Sequence, residues 1–330
     1  MTRDNAYIFA SSNLRAKEGS ASAKERLDSF INAPTVEALC QNAATAFGVK
    51  SYKSADELFD LAMAEAVRDV REAVPDFAPI APLLFKYDCT NAKLLVKCSI
   101  MGIDPTDMLL SCGSASKENV LLSYNKGIWD FLPDNMKKAA SEATELYKKT
   151  GEARIIDITL DKAAFADMSA VAEKDDAPLI KKIISARADS ANILTALRIK
   201  NSNTDGDFAV SLLERSLVPG GKISADAFIA NKEIASLDDI CKKANESYIF
   251  DALKRISKSS FTFAEIEKIF DEVILSMLVS VKFAAYGIDV AVRYLLMREA
   301  EVLNCRIIAA GLTGGIASDN IRERVRVSYV

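Results

Sequence analysis

Three stretches of this chain place an acid three residues before an asparagine: Asp88 and Asn91, Asp189 and Asn192, Glu301 and Asn304. Residues three apart share one face of a helix, so each pair sets a carboxylate beside an amide. Such a carboxylate could move a proton or hold a cation, and such an amide could grip a backbone or a substrate carbonyl. Polar groups sunk among leucines, isoleucines and alanines must find partners. That favours ties from helix to helix over a polar lining that touches another protein. Lys93, Arg198 and Arg306 stand near enough in sequence to answer the acids.

Other chemistry finds little support. The chain has no histidine, which excludes Ser-His and Cys-His nucleophile systems. Six cysteines, Cys40, Cys89, Cys98, Cys112, Cys241 and Cys305, form no CxxC pair and read as buried thiols rather than zinc ligands. Asp175-Asp176 and Asp238-Asp239 read as helix-start or solvated charges, not acid-base machinery. Gly220-Gly221-Lys222 is similar to the end of a phosphate loop, but Ile223 stands where a serine or threonine must follow the lysine. No catalytic residue, cofactor or metal is expected.

The elements that would carry the three pairs are helical. Of 330 residues half are hydrophobic, with only 13 glycines and 8 prolines, a composition for helices and for more than one core. A net charge of −4 argues against nucleic acid or an anionic lipid surface as the main partner, local basic patches aside. The N-terminus lacks a signal-peptide core. The most apolar run, Val273 to Met297, is broken by Lys282, Asp289 and Arg293 and suits a buried helix of a soluble protein.

Helix starts are signalled by Ser22-x-x-Glu25, Pro34-Thr35, Ser54-x-x-Glu57, Ser236-x-x-Asp239 and Thr262-x-x-Glu265. Pro75, Gly102 and Gly151 mark stops. Asp104-Pro105 opens a short piece, and Trp129 anchors a loop from Lys126 to Pro133. Helices follow over Asp134–Thr150, Glu152–Glu173 and Ala177–Lys200, then a polar loop from Asn201 to Asp207. Val218 to Gly221 is a break before a helix near Ser224. The helix opened by Ser236 should run to Tyr248. Ile155 to Leu160 alternates like a strand, but its flanks read helical. At the end, Leu295, Val302 and Ile307 lie along one amphipathic helix that Gly311 stops, and Ser318 caps a second. The basic run Arg322 to Arg326 reads as a solvated helix face.

The acid-asparagine marks recur at intervals of roughly 100 residues, the size of a small domain. A glycine three residues before a serine keeps step: Gly113 and Ser116, Gly221 and Ser224, Gly315 and Ser318. Ala38 to Phe47 also parallels Asp239 to Tyr248. Three related all-α units are expected, at 1–112, 113–219 and 220–330. Asn13 and Arg15 mirror Asn304 and Arg306, so the two ends should pack together.

Four motifs carry a family resemblance. They are N-L-R-A-K-E from Asn13, Y-D-x-x-N-x-K from Tyr87, P-G-G-K-I-S from Pro219, and Y-L-x-x-x-E-x-E-x-x-N-x-R-I-I with G-x-x-x-G and I-R-E-R from Tyr294. Over essentially its whole length the chain resembles the C (or d) subunit of V-type and A-type ATPases. The resemblance implies three similar helical domains in a closed, funnel-like arrangement. It implies a non-catalytic coupling subunit, peripheral on the cytoplasmic face of a membrane. Its partners would be the central rotor shaft and the membrane proteolipid ring, with torque passed between them for ion transport and with no nucleic acid and no direct membrane insertion. Gly19-Ser20-Ala21, Phe47 and Cys305 depart from the family pattern, which touches local packing. A helical-repeat adaptor unrelated to ATPases is the alternative, as an open solenoid; a small helical enzyme would need a pocket of convergent titratable groups.

Overall fold

In the computed structural model the described residues are 6–18, 23–174, 177–202 and 206–326. The capping serine Ser22, the Gly19-Ser20-Ala21 run and Asp175-Asp176 lie outside them, as does the middle of the Asn201–Asp207 loop. In chain order the helices are α1 (Ile8–Lys17), α2 (Ala23–Ile31), α3 (Val36–Phe47), α4 (Ala55–Ala73), α5 (Phe85–Met101), α6 (Lys117–Asn125), α7 (Asp134–Thr150) and α8 (Arg154–Lys174). Then come α9 (Pro178–Asn201), α10 (Gly206–Ser216), α11 (Leu237–Lys242), α12 (Phe250–Ile256), α13 (Phe263–Ser276), α14 (Ile288–Thr313) and α15 (Ser318–Arg324). Two two-residue strands, β1 (Ile229–Ala230) and β2 (Glu233–Ile234), pair antiparallel. Among the described residues the fold is all-α apart from that hairpin.

The chain divides into two compact units, one of residues 1–78 with 271–330, the other of 79–270. In the first, α14 packs on α1, α2, α3 and α4, and α15 packs on α2. Phe30, Leu39, Phe59, Cys305, Ile308 and Ile321 fill its core. In the second, α8 lies against α5, α7 and α9. Leu95, Leu109 and Val120 make a smaller cluster there, over which Trp129 and Phe131 pack, so the tryptophan is the loop anchor expected of it.

Local chemistry explains most boundaries. Thr35, Ser54 and Ser236 accept hydrogen bonds from the third residue onward, and Gly102 and Gly151 end α5 and α7 in the left-handed region. Thr262 and Glu265 bond reciprocally as a capping box. The start of α7 lacks a cap of its own, and Asp167 from α8 supplies one, accepting from the backbones of Asn135 and Met136 at 3.1 and 2.8 Å.

Several expectations are corrected. Gly311 does not stop α14, which runs on to Thr313; the glycine is buried, and a side chain there would meet Ile321. Ala317, not Ser318, occupies the cap position of α15. Asp104-Pro105 opens a turn, in which Asp104 accepts from the backbone and hydroxyl of Thr106. The helix begun at Ser236 ends at Lys242 instead of reaching Tyr248. After Ser224 comes a single 3-10 turn, Ala225–Phe228, leading into the hairpin. Asn231 and Lys232 turn that hairpin, both with positive φ, a two-residue turn whose strands are too short to leave an alternating pattern. Val273 to Met297 is not one helix but the end of α13, a 3-10 turn at Ser280–Phe283 and the start of α14. Among the described residues no helix is long and apolar enough to cross a membrane.

Candidate functional site

All six marked residues are buried. Each asparagine does the same thing. Asn91 on α5 donates its Nδ2 to the Leu110 carbonyl and accepts the Leu110 N–H at Oδ1, both at 2.9 Å. Asn192 on α9 grips Val218 in the same way, at 2.9 and 2.8 Å. On α14, Asn304 grips the backbone of Arg326 at 2.9 and 2.7 Å. A side-chain amide thus satisfies both backbone groups of one residue in the loop or tail beyond the helix, groups that would otherwise be orphaned.

The acids divide. Asp88 accepts from the Ser114 N–H at 2.9 Å. Asp189 accepts from the Ile223 N–H at 3.0 Å and from the Ser247 hydroxyl at 2.5 Å. Gly113 and Gly221 lie so close to these carboxylates that a Cβ on either would overlap an oxygen. Each of these glycines follows its gripped residue by three positions, Leu110 and Val218. Burial raises the Asp189 carboxyl above its usual range, against the lowering effect of Ser247 and the Ile223 and Lys222 backbones.

Glu301 is different. Its carboxylate takes the Arg26 guanidinium at 2.5 Å and that of Arg298 at 2.9 Å. Arg26 also donates to the Glu18 carbonyl, Arg293 pairs with Glu18 at 2.6 Å, and Arg298 reaches the Lys17 carbonyl. Tyr294 donates to Asp69 at 2.7 Å, and Lys17 pairs with the same aspartate. This network fastens the end of α1 and the start of α2 to α14 and α4. The expected partners lie elsewhere: Lys93 pairs with Asp161, Arg198 with Glu267 and Arg306 with Asp56. A long flexible cation takes whichever carboxylate its helix faces, and nearness in sequence does not decide that. Arg298 carried a readable signal, being three residues before Glu301 on the same face; Arg26, 275 residues away, carried none.

The glycine-serine marks are not equivalent in structure. Ser116 caps α6, Ser224 makes no side-chain cap, and Ser318 is already inside α15. Nor is the basic tail wholly solvated, since Arg326 is buried and pairs with Asp271 at 2.9 Å. Asp238 and Asp239 do sit in the first turn of α11, where Lys242 and Ser236 hold the Asp239 carboxyl below its usual range.

The arrangement ties loops and helices together. The carboxylates are engaged by donors inside the protein. Burial pushes the Cys89 thiol up to about 12 and raises Cys305 well above its ordinary value, so neither supplies a thiolate. Among the described residues no group of His, Cys, Asp and Glu could hold a metal. A broad cavity of about 1010 Å³ in the second unit has Ala163, Leu217 and Val218 on its walls beside the charged Lys138, Glu142, Lys162, Glu214 and Asp226. Asn192 therefore fixes one of its walls through Val218.

Comparison with known proteins follows the same line. The family described as ATP synthase (C/AC39) subunit matches residues 14–324. The C subunit of the V-type sodium ATPase of Enterococcus hirae is 20% identical over 323 residues, covering 96% of this chain and 97% of that protein. The C subunit of the A-type ATP synthase of a Desulfurococcus species is 23% identical over 253 residues, 73% of this chain and 66% of that one.

Proposed function

This chain belongs to the ATP synthase (C/AC39) subunit family, and on that premise we propose that it is the coupling subunit of a rotary V/A-type ATPase. In this role it joins the central rotor shaft to the membrane proteolipid ring and transmits torque for ion transport, without catalysing a reaction itself. The observation that carries the reading is the family match, which runs nearly end to end. The buried ties support it. A torque coupler needs a stiff body, and amide clamps that pin each loop to its helix supply stiffness. The proposal includes three related units, 1–112, 113–219 and 220–330, closed into a funnel, supported by the recurrence of one asparagine clamp in each. It also includes a peripheral position on the cytoplasmic face of the membrane.

Retention tests it. The immobilised full chain should hold rotor-shaft subunits and a detergent-solubilised proteolipid ring, and a helical scaffold of similar charge should hold neither. Failure to hold either would favour the adaptor reading.

A further inference from the structure

Phe283 of the first unit stands out in solvent at 82% exposure. Its loop is joined to α1. Arg15 of α1 donates to the carbonyls of Lys282 and Ala284, and the Gly287 N–H donates to Ser11 one turn earlier. Ile8, Ser11 and Arg15 share a helix face, so exposed Ile8 lies beside the same loop, where Val279 and Tyr286 are also exposed. The sequence from Ala6 to Lys17 and from Ser276 to Ile288 contains no acidic residue. Arg15 spends its hydrogen bonds on carbonyls, and neither it nor Lys282 has an acidic partner among the described residues.

We propose that this aromatic, cationic face is a lipid-contact surface, seating Phe283, with Ile8 beside it, at the interface of a membrane that carries anionic headgroups. Exposed aromatic rings beside lysine and arginine have the chemistry of interfacial binding, with rings at the acyl boundary and cations at the headgroups. Tyr286, with an apolar ring and a polar tip, suits the headgroup level. The choice of lipid over a protein partner rests on charge and exposure together. Two cations without acidic partners among the described residues flank rings that stand out into solvent. The contact departs from the expectation of no membrane insertion, but it requires only side chains at the surface. It is independent of the coupling role, because it concerns protein-free lipid.

Vesicle flotation with the intact chain tests it, using phosphatidylcholine alone and phosphatidylcholine with about a third phosphatidylglycerol. The expected result is at least about tenfold stronger partition onto the anionic vesicles. Phe283→Ser should weaken it about tenfold, and Lys282→Glu should weaken it and its salt dependence together. Both positions are exposed, and unchanged circular dichroism would show that the fold is kept. Equal partition onto both vesicles, or full binding by Phe283→Ser, would overturn the proposal. So would binding to polyglutamate in place of vesicles, which would assign the face to an acidic protein. Because no shaft or ring subunit is present, failure here leaves the coupling reading standing, and loss of shaft or ring retention leaves this one standing.

Discussion

A single asparagine shows how the molecule uses polarity. Asn192 answers both backbone groups of Val218 inside the protein, so Asn192→Ala leaves a buried donor and a buried acceptor without partners. The variant should lose about 3 kcal/mol of stability, the sum of two such penalties, readable as a shifted denaturant midpoint with unchanged slope. Asp189 three residues earlier makes a pH prediction. Its folded pKa is raised, so the folded state holds the proton more tightly than the unfolded state does. Its contribution is fully present below the unfolded carboxylate range and fades as pH rises through the folded value. Melting temperature followed from pH 7 downward should rise for the parent relative to Asp189→Asn, and parallel curves would count against it. The asparagines were legible because a polar residue on an apolar helix face announces itself. Leu110, Val218 and Arg326, whose backbones they grip, were not, since any residue type other than proline offers an N–H and a carbonyl.

Elements were legible where their ends are chemical. Thr35, Ser54 and Ser236 start helices, and Gly102 and Gly151 end them, by side-chain caps and left-handed turns that residue type dictates. Reading failed where tertiary packing overrides type. Gly311 continues α14 because its missing side chain makes room for Ile321, a packing need that looks like a stop signal in sequence. The α7 start is capped from another helix, by Asp167, and nothing near Pro133 foretells that. Asp167→Ala should therefore cost about 1–2 kcal/mol. Hydrogen exchange should quicken first at the amides of Asn135 and Met136, before the middle of α7. Uniform quickening along the helix would contradict a local cap.

At the scale of the whole molecule, the ends of the chain meet in one compact unit, where 1–78 and 271–330 fold together. Arg322 pairs with Asp28 at 2.5 Å, and Arg26 pairs with Glu301 at the same distance. Partnerships of such sequence separation leave no local trace; the half-motifs around Asn13 and Asn304 were the only hint. Family membership was readable because the C-terminal signature couples a buried acid and amide to a helix-turn-helix tail. The proposed coupling role makes a functional demand. A V/A-type ATPase assembled without this chain should still hydrolyse ATP in its soluble head but build no ion gradient. The most direct measurement is ATP-driven ion uptake into vesicles carrying the depleted complex, before and after adding the purified chain. The account predicts no uptake before addition and restored uptake after it, with hydrolysis present throughout; uptake that proceeds undiminished without the chain would contradict it.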